Sequence, residues 1–92
     1  MKRHECLEAA RKAVEERAVQ HGRPENVFEQ IANLWSAFLG VELAPADVAM
    51  MMILFKVARA QGSPANEDTW TDIAGYAACG AELAELGPDV RC

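Results

Sequence analysis

The sequence predicts an all-α fold, a compact bundle of about four helices arranged around a central apolar helical hairpin. Three observations lead there. No stretch shows the period-two alternation of a half-buried strand, apolar residues recur at spacings of three and four, and glycine and proline clusters divide the chain into four segments. The 92 residues suit one domain, residues 1–92, with a peripheral helix over 1–22 and core helices over 24–87.

The first helix is expected over about Arg3 to Gln20. Leu7, Val14 and Ala18 lie near one stripe, while Glu8, Lys12, Glu15 and Glu16 fall elsewhere, a weakly apolar pattern that suits a helix at the edge of the bundle. His21-Gly22-Arg23-Pro24 ends it, because glycine takes the left-handed cap conformation readily and Pro24 cannot continue the hydrogen-bond ladder. Pro24 then suits the start of a second helix, about Glu25 to Leu39, in which Val27, Phe28, Ile31, Leu34, Trp35 and Phe38 form the clearest core stripe before Gly40.

A third helix is expected from Pro45 to about Ala60, with Asp47 in its first turn, where the helix dipole favours a carboxylate. From Val48 to Phe55 it is apolar on every side, which one small bundle cannot fully cover, so self-association is expected. Gly62, Ser63 and Pro64 form a short connection, and Asn66 or Asp68 caps a fourth helix antiparallel to the third. Trp70, Ile73, Ala74, Ala77 and Ala81 are its expected packing stripe, and Gly87-Pro88 its stop. Gly75 and Gly80 each cost about 1 kcal/mol of helix propensity relative to alanine, which calls for a packing or ligand-approach reason.

A formal charge of −5 disfavours duplex DNA and anionic membranes as partners. The longest apolar run is far shorter than the roughly 20 residues of a membrane span, and MKRHECLEAARK lacks the apolar core of a signal peptide, so a cytoplasmic location is expected. Cys6, Cys79 and Cys92 fit no disulfide framework or zinc pattern and read as reduced thiols.

Within the apolar hairpin stand four charges. Lys56 and Arg59 share a face of the third helix, and Asp68 and Asp72 share a face of the fourth, so Lys56–Asp72 and Arg59–Asp68 pairs across the hairpin are geometrically accessible. Two readings stand: partly buried salt bridges that fix helix register, or a site in which the two cations take phosphate oxygens and the carboxylates accept ligand hydroxyls or hold magnesium. His21 and Arg23, flanking Gly22, form a second candidate anion site, with a dipole-compensating histidine as the plainer alternative. Trp35, Trp70 and Tyr76 read as core residues, with base stacking the alternative, and Met50, Met51 and Met52 as adaptable packing.

The runs NVFEQIANLWSAFLG and DVAMMMILFKVARA, followed by the DxWxDIAGYAACGAE pattern at Asp68 to Glu82, resemble a family of small phage and prophage proteins carried as a domain of unknown function. RAVQHGRPENVF fits the same family, and the resemblance covers about Val14 to Glu82. More remotely, the helix pair followed by an Asp-bearing helix looks like the MazG-like nucleoside triphosphate pyrophosphohydrolases, which imply magnesium held by clustered carboxylates. That pattern has an ExxE pair and an ExxD pair, whereas here the second helix offers Glu29, the third Asp47, and Asp68 and Asp72 stand four apart.

The reading that follows is a helical, homo-oligomeric phage or prophage protein that binds a nucleotide or other phosphorylated small molecule without turnover, with Lys56, Arg59, Asp68, Asp72, His21 and Arg23 as candidate ligand-binding residues. One alternative is a magnesium-dependent MazG-like pyrophosphohydrolase using Asp68 and Asp72 as metal ligands. Another is an acidic anti-defence inhibitor of a host protein, of the anti-CRISPR kind.

Overall fold

A computed structural model describes residues 1–85 and consists of four α-helices: α1 (Arg3–His21), α2 (Pro24–Leu39), α3 (Pro45–Gly62) and α4 (Glu67–Leu83). The fold is all-α, with no strand among the described residues. The expected stop at Gly87-Pro88 and the thiol of Cys92 lie outside the described residues.

Local chemistry sets each boundary. Gly22 takes φ 94° and donates its N–H to the Ala18 carbonyl at 3.0 Å, closing α1, and Pro24 opens α2 directly afterwards. Gly40 closes α2 in the left-handed conformation, φ 72°. The Ser36 hydroxyl donates to the Ala32 carbonyl at 2.6 Å and accepts the Leu43 N–H at 3.0 Å, which ties the end of α2 to the turn leading into α3. Ala44 has no side chain able to cap α3, and the buried Asp47 carboxylate instead accepts the Ala44 N–H at 2.7 Å. At α4 the cap is Asn66, whose side-chain oxygen accepts the Asp68 N–H at 3.0 Å.

The α3–α4 hairpin forms the most extensive interface, α1 packs on α4, and α2 packs on α3, touching α4 only lightly. Phe28, Ala32, Val48, Ala49 and Leu83 form the buried core, joined by the half-buried Val27, Ile31, Trp35, Met52 and Tyr76. This core is narrow: Val48 is the largest side chain that is completely enclosed, so small residues, rather than several fully buried aromatics at about 1.5–3 kcal/mol each, dominate the centre.

Three sequence expectations are corrected. On α2, Leu34 and Phe38 belong to the apolar stripe but are exposed, because α2 packs on α3 and touches α4 only lightly, so that one edge of the helix, at Phe28 and Ala32, is buried and the rest of the stripe is not. On α1, Leu7 is exposed and Ala10 is the buried residue. On α4 the buried residues are Thr69, Thr71, Gly75 and Leu83, while Trp70, Ala77 and Ala81 face outward. The helix is turned roughly half a revolution from the face that hydrophobicity alone selects. The physical reason is its position between α1 and α3, where close approach favours small residues. A Cβ at Gly80 would lie 3.2 Å from the Ala49 Cβ, and one at Gly75 would lie 3.5 Å from Val14 Cγ2. Trp70, exposed, donates its indole N–H to the Pro64 carbonyl at 2.9 Å and pins the α3–α4 connection.

Candidate functional site

Turning α4 in this way carries Asp72 inward, to a point facing both neighbouring helices. Lys56 of α3 approaches its Oδ2 with Nζ at 2.9 Å, and Arg17 of α1 approaches its Oδ1 with an η nitrogen at 3.3 Å. The Asp72 and Lys56 side chains are largely covered, at 15% and 22% exposure, whereas Arg17 is 52% exposed. One carboxylate therefore links three helices and is shared by two cations.

Beside this triad lies a cleft of about 200 Å³ between α1 and α2, floored by α3 and α4. Its walls are mainly apolar, from Val14 and Ala18 on one side to Val27 and Ile31 on the other, with Phe28, Met52, Gly75 and Tyr76 beneath. The Phe28 and Tyr76 rings are tilted at 48° with centroids 6.3 Å apart. Arg17, His21 and Asp72 supply the charged or titratable edge, and Cys79 also lines the cleft. Burial pushes the Cys79 thiol above its ordinary pKa, the nearby Glu82 adds to this, and Arg17 opposes it. Both Cys6 and Cys79 are free thiols.

The structure separates the sequence-derived candidates. Lys56 and Asp72 meet as expected. Arg59 and Asp68 do not form an ion pair: the Arg59 guanidinium lies 4.9 Å from the centroid of the Phe55 ring, and Asp68 sits exposed at the first turn of α4. His21 reaches the cleft edge, whereas the adjacent Arg23 bonds Glu25 at 2.7 Å and is absent from the cleft lining. Arg17 is the residue that sequence reasoning missed. Its signal was faint, a basic side chain one turn from His21 on a helix taken to be peripheral.

Asp68 and Asp72 border a second, shallow depression with Glu16, Glu67, Lys12 and Arg17. Carboxylates and cations alternate there, and among the described residues no group of three His, Cys, Asp or Glu side chains is placed to hold a metal ion. The donor set does not fit a carboxylate-held magnesium, so no chemistry is derived through one. No helix among the described residues is long and apolar enough to cross a membrane.

The model of a domain of unknown function, DUF6378, matches residues 5–84. The chain is 41% identical over 80 residues to the Gene 55 protein of Mycobacterium phage D29, an alignment covering 86% of this chain and 53% of that protein. To the Gene 55 protein of Mycobacterium phage L5 it is 49% identical over 77 residues, covering 83% and 49% respectively. The chain thus spans about half the length of these phage relatives. No solved structure matches it. The chain belongs to the DUF6378 family, a family with phage members.

Proposed function

We propose that this member of the DUF6378 family binds a nucleotide or comparable phosphorylated small molecule, without turning it over, in the cleft between α1 and α2. The observation that carries the reading is the sharing of Asp72 by Arg17 and Lys56 at the edge of an apolar cleft. Lys56 neutralises the carboxylate from the covered side, so the exposed Arg17 keeps donors for a phosphate, which its planar fork suits. His21, on the same edge and one turn further along α1, offers a further ring N–H donor.

A cleft of about 200 Å³ is smaller than the roughly 300–1,000 Å³ of a site that encloses a drug-sized ligand. It suits one flat ring against Phe28 and Tyr76, with the phosphate outside on Arg17, and so favours a mononucleotide over a larger conjugate.

The test is calorimetric titration with nucleoside monophosphates and the matching nucleosides, with and without magnesium, followed by product analysis. Expected are binding of the phosphorylated form, at least tenfold weaker binding by Arg17→Ala, and no product. Equal affinity for nucleoside and nucleotide, or no heat with any of them, would overturn the reading. Magnesium-dependent release of pyrophosphate or phosphate would replace it with an enzyme.

A further inference from the structure

On α3 the side turned away from α2 and α4 carries no charge from Met50 to Ala58. Its side chains are Met50, Ile53, Leu54, Val57 and Ala58, with Met51 and Phe55 on the flank. Met50 is 55% exposed, Leu54 66%, Phe55 47% and Val57 38%, and at the turn preceding the helix Leu39 and Val41 are 52% and 54% exposed. Apolar side chains are in contact with water over roughly 600 Å² here, at the upper end of what a monomer ordinarily shows in one patch.

We propose that this face is the contact surface of a symmetric homodimer, in which α3 packs antiparallel on α3 of a second copy. Two copies would bury about 1,200 Å², the lower end of a specific, stable protein interface. The face is also self-complementary. Met50 and Val57 lie one turn either side of Leu54, so a twofold axis near Leu54 sets Met50 of each copy on Val57 of the other, the reciprocal pattern that a twofold interface requires. Charge does not oppose it, although each chain carries −5. No carboxylate occurs on α3 after Asp47, Lys56 is held by Asp72, and Arg59 lies against the Phe55 ring. The apolar stretch that the narrow core leaves uncovered is thereby enclosed by its own copy.

Sedimentation equilibrium of the 92-residue chain tests this. The expected mass is twice the 10.0 kDa of one chain. Leu54→Glu places two carboxylates beside each other at the axis and should weaken association at least 100-fold with unchanged helical circular dichroism. Met50→Glu should do the same, and Leu34→Glu, an equally exposed position on α2, should leave the dimer intact. A wild-type chain that stays monomeric up to about 100 µM, where a micromolar dimer would be well populated, overturns the proposal. So does a dimer that survives both α3 substitutions or that is broken only by Leu34→Glu.

Discussion

Replacing Asp72 with asparagine keeps the shape of the side chain and removes the charge that two cations share. The consequence depends on how much water reaches each partner. An exposed ion pair contributes about 0–1 kcal/mol, while breaking a fully buried one costs about 3–5 kcal/mol. Lys56 and Asp72, at 22% and 15% exposure with a 2.9 Å separation, stand between these limits and nearer the buried one. We expect Asp72→Asn to cost about 2 kcal/mol, most of it from the stranded Lys56 ammonium. For a domain of this size that lowers Tm by roughly 8–16 °C. Arg17 is 52% exposed at 3.3 Å, so Arg17→Ala should cost under about 0.5 kcal/mol. Urea unfolding at pH 7, followed by circular dichroism, measures both. Double-mutant cycles with Lys56→Met and Arg17→Ala then isolate each pair, with expected couplings of about 1–2 kcal/mol for Lys56–Asp72 and less than about 0.5 kcal/mol for Arg17–Asp72. A larger coupling through Arg17, or an Asp72→Asn variant within about 0.5 kcal/mol of wild type, would refute the burial argument.

Three further outcomes are expected. Gly75→Ala meets only ordinary contact and should gain up to about 1 kcal/mol of helix propensity, whereas Gly80→Ala presses on the enclosed Ala49 Cβ and should gain nothing or lose about 1 kcal/mol, read as a raised Tm for the first and an unchanged or lowered Tm for the second. Asp47→Ala removes the acceptor of the Ala44 N–H and should cost about 1–2 kcal/mol in urea unfolding, with Asp47→Asn recovering part of the loss. The raised pKa of Cys79 means the folded chain holds the thiol proton more tightly than the unfolded chain, so this contribution is present below the ordinary thiol pKa and is lost as pH rises through the folded value. Iodoacetamide at pH 8 should label Cys79 several-fold more slowly in the native chain than in urea, and equal rates would remove the burial account.

Much of the fold is legible in the residues themselves. Gly22-Arg23-Pro24, Gly40 and Asn66 are local instructions, and each marks a helix end within a residue or two of where it falls. The orientation of α4 is not legible in that way. Trp70, Ala77 and Ala81 point one way, but the helix packs with the other, where Leu83 and Tyr76 join the core and close approach of α1 and α3 selects Gly75, Gly80 and the two threonines. Lys56–Asp72 was accessible because both residues lie on one short hairpin. Arg17 was not, since its approach to Asp72 depends on how α1 lies across α4, and no local pattern encodes that crossing.

The Arg17–Asp72 contact also has a topological cost. It joins positions 55 residues apart, whereas Lys56 and Asp72 are separated by less than a third of that distance along the chain. Loop-closure entropy makes the longer connection about 1 kcal/mol dearer, while its exposed ion pair returns little. α1, tied across to α4 at Met1–Glu67 and at Arg17–Asp72, is also the helix that supplies a wall of the cleft. Any molecule that touches both Arg17 and the α4 floor shortens the effective loop, and occupancy of the cleft and docking of α1 become a single linked equilibrium.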